Sequence, residues 1–504
     1  MTNPLYDQLF APHAGKAAVF LQMPDGTKVT YAVFIEMAAQ FAHALTAAGL
    51  VPGDRVAVQI AKSPAALAVY AACVQAGLVF LPLNTAYTPA EVSYFVENSG
   101  AKVLLCDESM HEALSPIADA AGAQLETLNR DGTGSFIDLA RPYPPAFDTV
   151  AREADDLAAF LYTSGTTGRS KGAMLTHANL LSNAQTLCDY WQFTGDDILL
   201  HALPIFHTHG LFVGTNIMLL TGGSMQFLPK FDVDQVIAAL PKATSMMGVP
   251  TFYTRLLADP RFDQDLTAHM RLFISGSAPM LAETHVQFEE RTGHRILERY
   301  GMTETNMNTS NPYDGERRAG TVGFPLPDVD LKITDPDSAE IVPQGEIGVI
   351  EVRGPNVFKG YWQMPEKTAE ELRADGFFIT GDLGRIDEDG YVHIVGRGKD
   401  LIIAGGYNIY PKEVEQVLDA QPGVLESAVI GVPHPDFGES VVGVLVAQDG
   451  ITLDIDQIAA DAAQGLAKFK RPQRLFVVPE LPRNTMGKVQ KNVLRDTYAD
   501  TFTG

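Results

Sequence analysis

The segment TSGTTGRSKG at residues 163–172 brings backbone amides, hydroxyl groups and a lysine together in one short stretch. Such glycine-rich turns surround phosphate groups, because amide N–H groups, hydroxyls and a cation all favour a bound anion. The spacing excludes a Walker A loop, since Gly165 and Gly168 are too close together and Lys171 is followed by Gly172. A dinucleotide-binding G-x-G-x-x-G pattern is absent here as well. The segment predicts a phosphate-binding loop of another kind, and an ordinary surface turn is the alternative.

The composition restricts the kind of protein and its partners. A chain of 504 residues is too long for one hydrophobic core and predicts two to four structural units. The net charge of −24 argues against nucleic acid or an anionic membrane as partner. A site for an anion must therefore be a local basic region in an otherwise acidic protein. Three cysteines without metal-ligand spacing argue against a disulfide scaffold or structural zinc. The N-terminus carries no secretory signal pattern, and the expected location is cytoplasmic.

Alternating strand and helix patterns indicate where this loop lies. From residue 54 the sequence predicts a strand, a helix capped by Ser63, a second strand, a helix with a capping box formed by Thr88 and Glu91, and a third strand. This order is typical of a parallel sheet covered by helices. A similar order returns over 196–275, where the strands end in the small or polar residues that bind ligands in open α/β sheets. The phosphate loop follows the strand LAAFLYT and precedes a helix that begins near His177.

Four further segments, together with TSGTTGRSKG, resemble the adenylate-forming acyl- and aryl-CoA ligases, a family that includes firefly luciferase. They are YGMTE (300–304), TGD (380–382), GRGKDLIIAGGYNIYPKEVE (396–415) and PRNTMGKVQK (482–491), in the family's order. The resemblance implies an α/β fold. It also implies two domains, a large N-terminal domain (1–398) of stacked mixed and parallel sheets with helices and a small β-barrel-like part, and a small, mobile α+β C-terminal domain (399–504).

The resemblance implies ATP and coenzyme A as substrates and Mg²⁺ as cofactor. Glu304 is the implied Mg²⁺ ligand, and Thr303 the implied hydrogen-bond donor to the α-phosphate. The residues implied at the other phosphates are Thr163, Ser164, Gly165, Thr166, Thr167, Gly168 and Lys171. Those implied at the adenine and ribose are Ser277, Ala278, Arg299, Tyr300, Gly301, Asp382 and Arg397. Taken alone, Asp382 could be a turn residue and Tyr300 a core aromatic.

The C-terminal motifs imply the remaining chemistry. Lys488 is implied as the catalytic lysine between the acid carboxylate and the α-phosphate, where a cation stabilises the in-line transition state. Lys399 is implied as the hinge about which the C-terminal domain rotates between two half-reactions. Gly405, Gly406 and Tyr407 are implied to line the pantetheine tunnel afterwards. Lysines in this position are also targets of protein lysine acyltransferases, which makes such an enzyme an expected partner.

The acid pocket is predicted from less strongly patterned segments. FHTHGLF (206–212) is polar for an enzyme of fatty acids, and Arg255 would favour an acid with a second carboxylate unless it faces solvent on its helix. With NMNTSNPYDGERRAGTVG (306–323), these segments most resemble malonyl-CoA synthetases, which implies malonate and tolerance of methylmalonate. On that basis Thr208 and Met307 would contact the C2 substituent, and His209 or Ser277 would assist Arg255.

Three alternatives remain open at this point. His207 could aid entry of coenzyme A or could be a core residue. The chain could activate another small acid, or it could be a catalytically silent nucleotide-binding homologue.

Overall fold

The computed structural model describes residues 2–163, 170–278, 280–336, 338–404, 407–435, 437–466, 468–484 and 487–502. Contacts between residues divide the chain into two compact units. The first comprises residues 1–330 and 352–378, and the second comprises residues 331–351 and 379–504. The predicted domain boundary between residues 398 and 399 stays a prediction.

The mixed α/β architecture predicted from the sequence is confirmed by the order of strands and helices. The strands of the described residues are β1 (Val19–Gln22), β2 (Lys28–Thr30), β3 (Arg55–Gln59), β4 (Val79–Pro82), β5 (Val103–Cys106), β6 (Gln124–Thr127), β7 (Leu157–Thr163), β8 (Lys171–Thr176), β9 (Ile198–His201), β10 (Ser224–Phe227), β11 (Ser245–Gly248), β12 (Leu272–Ser275), β13 (Leu297–Met302), β14 (Asn306–Ser310), β15 (Phe324–Pro325), β16 (Asp330–Thr334), β17 (Gly348–Arg353), β18 (Phe378–Ile386), β19 (Val392–Arg397), β20 (Ile402–Ala404), β21 (Tyr407–Ile409), β22 (Val424–His434), β23 (Gly438–Ala447) and β24 (Arg474–Val478).

The α-helices alternate with these strands. They are α1 (Pro4–Leu9), α2 (Tyr31–Ala47), α3 (Pro64–Gln75), α4 (Pro89–Ser99), α5 (His111–Ala121), α6 (Ser135–Ala140), α7 (His177–Tyr190), α8 (Asn216–Thr221), α9 (Val233–Ala239), α10 (Pro250–Leu257), α11 (Gln264–Thr267), α12 (Ala282–Thr292), α13 (Pro365–Glu371), α14 (Pro411–Asp419), α15 (Ile455–Gly465) and α16 (Lys491–Tyr498). A π-helix spans His209–Thr215, directly before α8. No helix within the described ranges is long and apolar enough to cross a membrane.

Two sheets form the framework of the first unit. The larger has the strand order β15-β14-β13-β12-β11-β9-β10-β1-β2, and the smaller has the order β6-β5-β3-β4-β7-β8. Strands β9 to β13 pair in parallel, so their carboxyl ends lie at one edge of the larger sheet. Buried apolar side chains pack around both sheets.

Helix α4 illustrates why the predicted elements form. Thr88 accepts a hydrogen bond from the backbone amide of Glu91, and the Glu91 side chain accepts from the backbone of Thr88. Gly100 ends the helix in the left-handed conformation, with φ of 63°. Ser63 likewise caps α3, as predicted. These local signals could be predicted because they depend only on residues within a few positions of each other.

One prediction about the phosphate loop was incomplete. Strand β8 lies between the loop and helix α7 and pairs antiparallel with β7, with Thr163 opposite Lys171. Lys171 is therefore a strand residue and not a loop residue. Gly172 is required in this strand, because a Cβ there would lie 2.2 Å from the ring of Phe160.

The second unit contains two smaller sheets. A four-stranded sheet has the order β16-β17-β18-β19 and forms the small β part of the fold. A five-stranded sheet has the order β21-β20-β23-β22, with β24 added on β23, and α14, α15 and α16 pack on it. This combination of helices with a sheet that is antiparallel except for the parallel β23–β24 pair agrees with the α+β class expected for the C-terminal part.

All three cysteines of the chain are free and buried. Burial raises the pKa of the thiols of Cys73, Cys106 and Cys188, that of Cys106 to about 12. The expected absence of a disulfide framework agrees with this burial.

Candidate functional site

Lys171 lies in a cluster of charged and aromatic side chains within the first unit. Its Nζ atom is 3.1 Å from both carboxylate oxygens of Glu371 on α13, and 4.2 Å from the centre of the Tyr361 ring. The Tyr361 hydroxyl in turn lies 2.6 Å from Glu371 Oε2 and 3.0 Å from Glu304 Oε1. The cluster therefore connects the predicted phosphate-binding lysine to the predicted metal-binding carboxylate through one tyrosine.

The backbone explains why these groups meet. Ala173 of β8 forms an isolated antiparallel bridge with Tyr361. Side chains two positions apart on a strand point to the same face, so Lys171 lies on the same side of β8 as Ala173. The Lys171 ammonium consequently lies over the Tyr361 ring.

Glu304 and Glu371 have opposite electrostatic environments. Glu304 is buried, and this burial raises the pKa of its carboxyl group. Burial also acts to raise the pKa of Glu371, but hydrogen bonds from Tyr361, Lys367 and Lys171 lower it overall. The surrounding side chains therefore stabilise the charge of Glu371, whereas burial disfavours the charge of Glu304.

Glu304 is suited to a divalent cation. Its carboxylate is 5% exposed and receives its side-chain hydrogen bond from a neutral phenol, so a cation would compensate its buried charge. Among the described residues, no group of three or more His, Cys, Asp and Glu side chains could hold a metal ion by itself. The single buried carboxylate of Glu304 fits magnesium, which is commonly bound by one or two carboxylates together with substrate phosphates and water.

A second cluster surrounds Arg299 of β13, beside the carboxyl end of β12. Arg299 is 3% exposed, and burial lowers the pKa of its guanidinium to about 9. A Cβ atom on Gly276 would lie 2.5 Å from Arg299 Cζ, so a glycine is needed for the guanidinium to lie against this backbone. Within the described part of the chain, no carboxylate forms an ion pair with Arg299, and its Nε and Nη2 atoms have no hydrogen-bond partner.

His209 and Ser277 complete the surroundings of this cation. His209 Nδ1 is 3.2 Å from Ser277 Oγ, and Ser277 has a left-handed backbone with φ of 71°. Non-glycine residues in this conformation are often found at functional sites. Burial and then the charge of Arg299 lower the pKa of His209 well below its ordinary value, so the imidazole is neutral. Its Nε2 atom has no partner among the described residues.

Thr208 and Met307 lie on neighbouring elements, as their predicted shared role requires. Thr208 precedes the π-helix and is 2% exposed, and its Oγ1 atom has no described partner. Met307 lies on β14, which contacts the π-helix, and Asn183 hydrogen-bonds to both its amide and its carbonyl. A Cβ on Gly301 would lie 1.9 Å from the carbonyl oxygen of Asn306 and 2.7 Å from Met307 Cε.

Arg255 is separate from the buried cluster. It lies on the exposed face of α10, whose opposite face buries Tyr253 and Leu256. Its predicted contact with a second carboxylate stays a prediction. The buried guanidinium next to His209 belongs instead to Arg299, which is predicted from the sequence to lie beside the adenine.

The other predicted residues of the first unit occupy intermediate positions. Thr163 ends β7, Tyr300 and Gly301 lie on β13, Thr303 lies in the turn before β14, and Ala278 follows Ser277. His207 is half-buried, and its carbonyl oxygen accepts a hydrogen bond from the amide of Leu211 at 3.0 Å. Each is half-buried, which is compatible with contact to a ligand.

Asp382 and Arg397 meet within the second unit. They lie opposite each other on β18 and β19, and Arg397 Nε is 3.4 Å from Asp382 Oδ1. Asp382 is buried, whereas Arg397 and Lys399 are exposed. Lys399 lies in the short 3₁₀ turn Gly398–Asp400, which Arg495 of α16 anchors by an ion pair with Asp400.

Lys488 is held by hydrogen bonds to Asn484. Its amide donates to Asn484 Oδ1 at 2.9 Å, and its carbonyl accepts from the Asn484 amide at 2.9 Å. Arg483 donates to the Gly487 carbonyl at 2.7 Å and forms an ion pair with Glu426 on β22. These contacts fix the backbone at Lys488 against the C-terminal sheet.

Several predicted residues lie outside the described ranges. These are Ser164, Gly165, Thr166, Thr167 and Gly168 of the phosphate loop, and Gly405 and Gly406 of the predicted pantetheine tunnel. The backbone of Tyr407 begins β21.

The sequence did not identify Glu371 or Tyr361 as site residues. Glu371 lies in an ordinary charged helix, and 200 positions separate it from Lys171. Tyr361 follows a glycine and precedes Trp362, a pattern that could have drawn attention to it but that indicates no chemistry. Their importance comes from contacts that are distant along the chain.

Two family models match this chain. The model described as AMP-binding enzyme matches residues 8–362, and the model of the AMP-binding enzyme C-terminal domain matches residues 413–488. The chain belongs to the AMP-binding enzyme family. The matched regions contain the Arg299 cluster, Lys488, and Lys171, Glu304 and Tyr361 of the first cluster, whereas Glu371 lies between the two regions.

Relatives in this family differ in the acid that their names specify. The crystal structure of ATP-bound MatB from Rhodopseudomonas palustris is 58% identical, covers 100% of both chains and superposes with a TM-score of 0.98. A feruloyl-CoA synthase from Amycolatopsis sp. is 39% identical over 94% of each chain. A malonate–CoA ligase from Arabidopsis thaliana is 36% identical over 83% of this chain and 74% of its own.

Proposed function

We propose that this protein ligates malonate to coenzyme A in an ATP-dependent, AMP-forming reaction, with methylmalonate as a further substrate. The observation that carries the proposal is the buried Arg299 beside His209 and Ser277, without a carboxylate partner in the described ranges. A buried cation needs an anion to offset its desolvation, and the second carboxylate of malonate supplies one. Full-length similarity to ATP-bound MatB and similarity to a malonate–CoA ligase support the same assignment.

The proposed first step forms malonyl-AMP. A carboxylate oxygen of malonate attacks the α-phosphorus of ATP, and pyrophosphate leaves with the electrons of the broken P–O bond. Lys488 would lie between the two reacting anions, and Thr303 would donate a hydrogen bond to the α-phosphate. Lys171 would bind the leaving pyrophosphate together with Thr163 and residues 164–168. These positive charges and donors offset the repulsion between the carboxylate and the phosphates.

Magnesium would be held by Glu304. When bound, the ion neutralises phosphate charge and makes the α-phosphorus more electrophilic. The nucleoside would be held by other groups of the chain. Asp382 would accept hydrogen bonds from the ribose hydroxyls with Arg397 beside it, and Ser277, Ala278, Tyr300 and Gly301 would lie near the adenine.

The proposed second step transfers the malonyl group to coenzyme A. The thiolate attacks the carbonyl carbon of malonyl-AMP, a C–S bond forms and AMP leaves. We propose that the domain beginning at residue 399 rotates about Lys399 between the two steps and brings Gly405, Gly406 and Tyr407 to the pantetheine. His207 would lie on the path of the entering thiol.

In the acid pocket, Thr208 and Met307 would contact the C2 substituent. Arg255 would reach the distal carboxylate from the exposed face of α10, and Arg299 would provide the buried charge.

Acylation of Lys488 by a protein lysine acyltransferase would remove the cation required in the first step. A cytoplasmic location remains part of the proposal.

ATP–pyrophosphate exchange with a panel of acids tests this function. We expect malonate to support the fastest exchange, methylmalonate slower exchange, and acetate and ferulate little. Thioester formation is then measured by release of AMP in the presence of coenzyme A. Exchange with acetate equal to that with malonate would contradict the proposed pocket, and no exchange with any acid would indicate a silent homologue.

Activation of an aryl acid is the second candidate. It is favoured by the feruloyl-CoA synthase, which is similar to 94% of this chain. Faster exchange with ferulate than with malonate would establish this candidate in place of the first.

A further inference from the structure

Lys62 is a buried cation that the proposed mechanism does not use. It lies between β3 and α3, directly before the helix cap Ser63, and is 8% exposed. Its Nζ atom is 2.7 Å from His201 Nδ1, 2.9 Å from the His201 carbonyl oxygen and 2.8 Å from the Leu203 carbonyl oxygen. The Phe227 ring lies under it, with its centre 4.3 Å away.

The partners of Lys62 identify it as an ammonium group. His201 Nε2 lies 2.8 Å from the Gly210 carbonyl oxygen, which can only accept, so the hydrogen of the ring is on Nε2 and Nδ1 is an acceptor. Lys62 then faces three acceptors, which match the three N–H groups of an ammonium. Burial lowers the pKa of both Lys62 and His201, and the charge of Lys62 lowers that of His201 further, so the two groups do not both carry a positive charge. The three acceptors around Nζ assign the single charge to Lys62.

The charge of Lys62 is not balanced by the protein around it. Within the described ranges, no Asp or Glu side chain lies within ion-pair distance of Nζ. The carboxylate of Asp107 instead accepts a hydrogen bond from the backbone amide of Ala61 at 3.1 Å. Arg299 is likewise without a carboxylate partner there. A chain with a net charge of −24 therefore has two buried cations near its acid-binding segment without local anions.

A short chain of hydrogen bonds connects Lys62 to that segment. His201 ends β9, and its ring hydrogen-bonds to Gly210 at the start of the π-helix. The Thr215 hydroxyl donates to the same carbonyl at 2.9 Å. A Cβ on Gly210 would lie 2.1 Å from the Pro204 carbonyl oxygen, so this backbone approach requires a glycine. Thr208 and His209, both predicted to contact the acid, directly precede Gly210.

We propose that Lys62 is a specificity-determining residue that favours acids with two carboxylates over acids with one. The inference rests on the proposed function. The ammonium acts through the low-dielectric region around His201 and does not touch the substrate. One carboxylate reacts in either kind of acid, so the interaction with Lys62 differs between them only by the second negative charge.

The test compares KM for malonate and for acetate in the exchange reaction of the full chain. Wild-type malonate-dependent exchange is measured first, and its absence would refute the proposed function without involving Lys62. In Lys62→Met we expect the preference for malonate over acetate to fall on the order of tenfold, through KM for malonate, with KM for ATP unchanged. Lys102→Met, which removes an exposed lysine, is the matched control and should leave the preference unchanged.

Two further variants separate charge from geometry. Lys62→Gln keeps N–H donors for the carbonyls, and it replaces Lys62→Met if the latter fails to fold. His201→Asn keeps an acceptor for Lys62 but loses the link to Gly210, so it should raise KM for both acids equally. The inference would be overturned if the preference for malonate over acetate were unchanged in both Lys62 variants. It would also be overturned if His201→Asn lowered this preference as much as the Lys62 variants do.

Discussion

Glu371→Gln is expected to increase the affinity for ATP and for pyrophosphate. Both carboxylate oxygens of Glu371 lie 3.1 Å from Lys171 Nζ. A triphosphate must compete with this carboxylate for the lysine. Glutamine removes the competing charge but keeps an oxygen that accepts from the Tyr361 hydroxyl.

The magnitude follows from the partial burial of the pair. The Lys171 and Glu371 side chains are 16% and 22% exposed. The pair therefore lies between two classes of ion pair: fully exposed pairs contribute less than about 1 kcal/mol, and disruption of a buried pair costs about 3 to 5 kcal/mol. A contribution of about 1 to 2 kcal/mol corresponds to a decrease in KM for ATP of roughly 5- to 30-fold.

The assay is ATP–pyrophosphate exchange at saturating acid, with KM measured for both phosphates. Glu370→Gln is the matched control, because it removes the same charge from the same helix but pairs only with Lys367 and is 64% exposed. In a Lys171→Ala background, Glu371→Gln should have no further effect on KM. A KM for ATP that stays constant or rises in Glu371→Gln would refute the reasoning.

Four other perturbations have defined outcomes. Lys488→Ala should abolish exchange but leave thioester formation from preformed malonyl-AMP largely intact, and Lys399→Pro should do the reverse; equal loss of both half-reactions in either variant would contradict the assigned roles. Gly276→Ala should raise KM for malonate more than about tenfold, because the new Cβ would lie 2.5 Å from Arg299 Cζ, and an unchanged KM would show that Arg299 is not needed. Burial raises the pKa of Asp419 from 3.8 to about 6, so its stabilising contribution is present below pH 4 and is lost as pH rises through 6. Asp419→Asn should remove this pH-dependent loss of unfolding free energy, which is at most about 3 kcal/mol. Thermal unfolding measured against pH tests this, and equal pH profiles for the wild type and Asp419→Asn would contradict it.

Local patterns in the sequence were sufficient for most of the framework. The caps of α3 and α4 and the parallel strands of the larger sheet depend on short-range signals, and the structure contains them where predicted. Strand β8 was missed because its first residues also belong to the glycine-rich motif, and its pairing with β7 is not encoded in that short run. No periodicity in the sequence indicates the π-helix at His209–Thr215.

The site was only partly predictable for the same reason. Motif similarity was enough to identify Lys171, Glu304 and Lys488 as candidates. It could not indicate that Lys171 pairs with Glu371, or that Lys62 reaches a histidine 139 positions away. Arg255 and Arg299 are both arginines in the sequence, and only the fold shows that the first is exposed and the second is buried.

The burial of the three thiols has a practical consequence for measuring this reaction. Cys73, Cys106 and Cys188 are inaccessible and their pKa values are raised, so the native protein should react slowly with a disulfide reagent that titrates thiolates. Consumption of the coenzyme A thiol can then be followed directly in the presence of the protein. A rise in the protein's own reactivity would report local or global unfolding, which gives a label-free check on each variant.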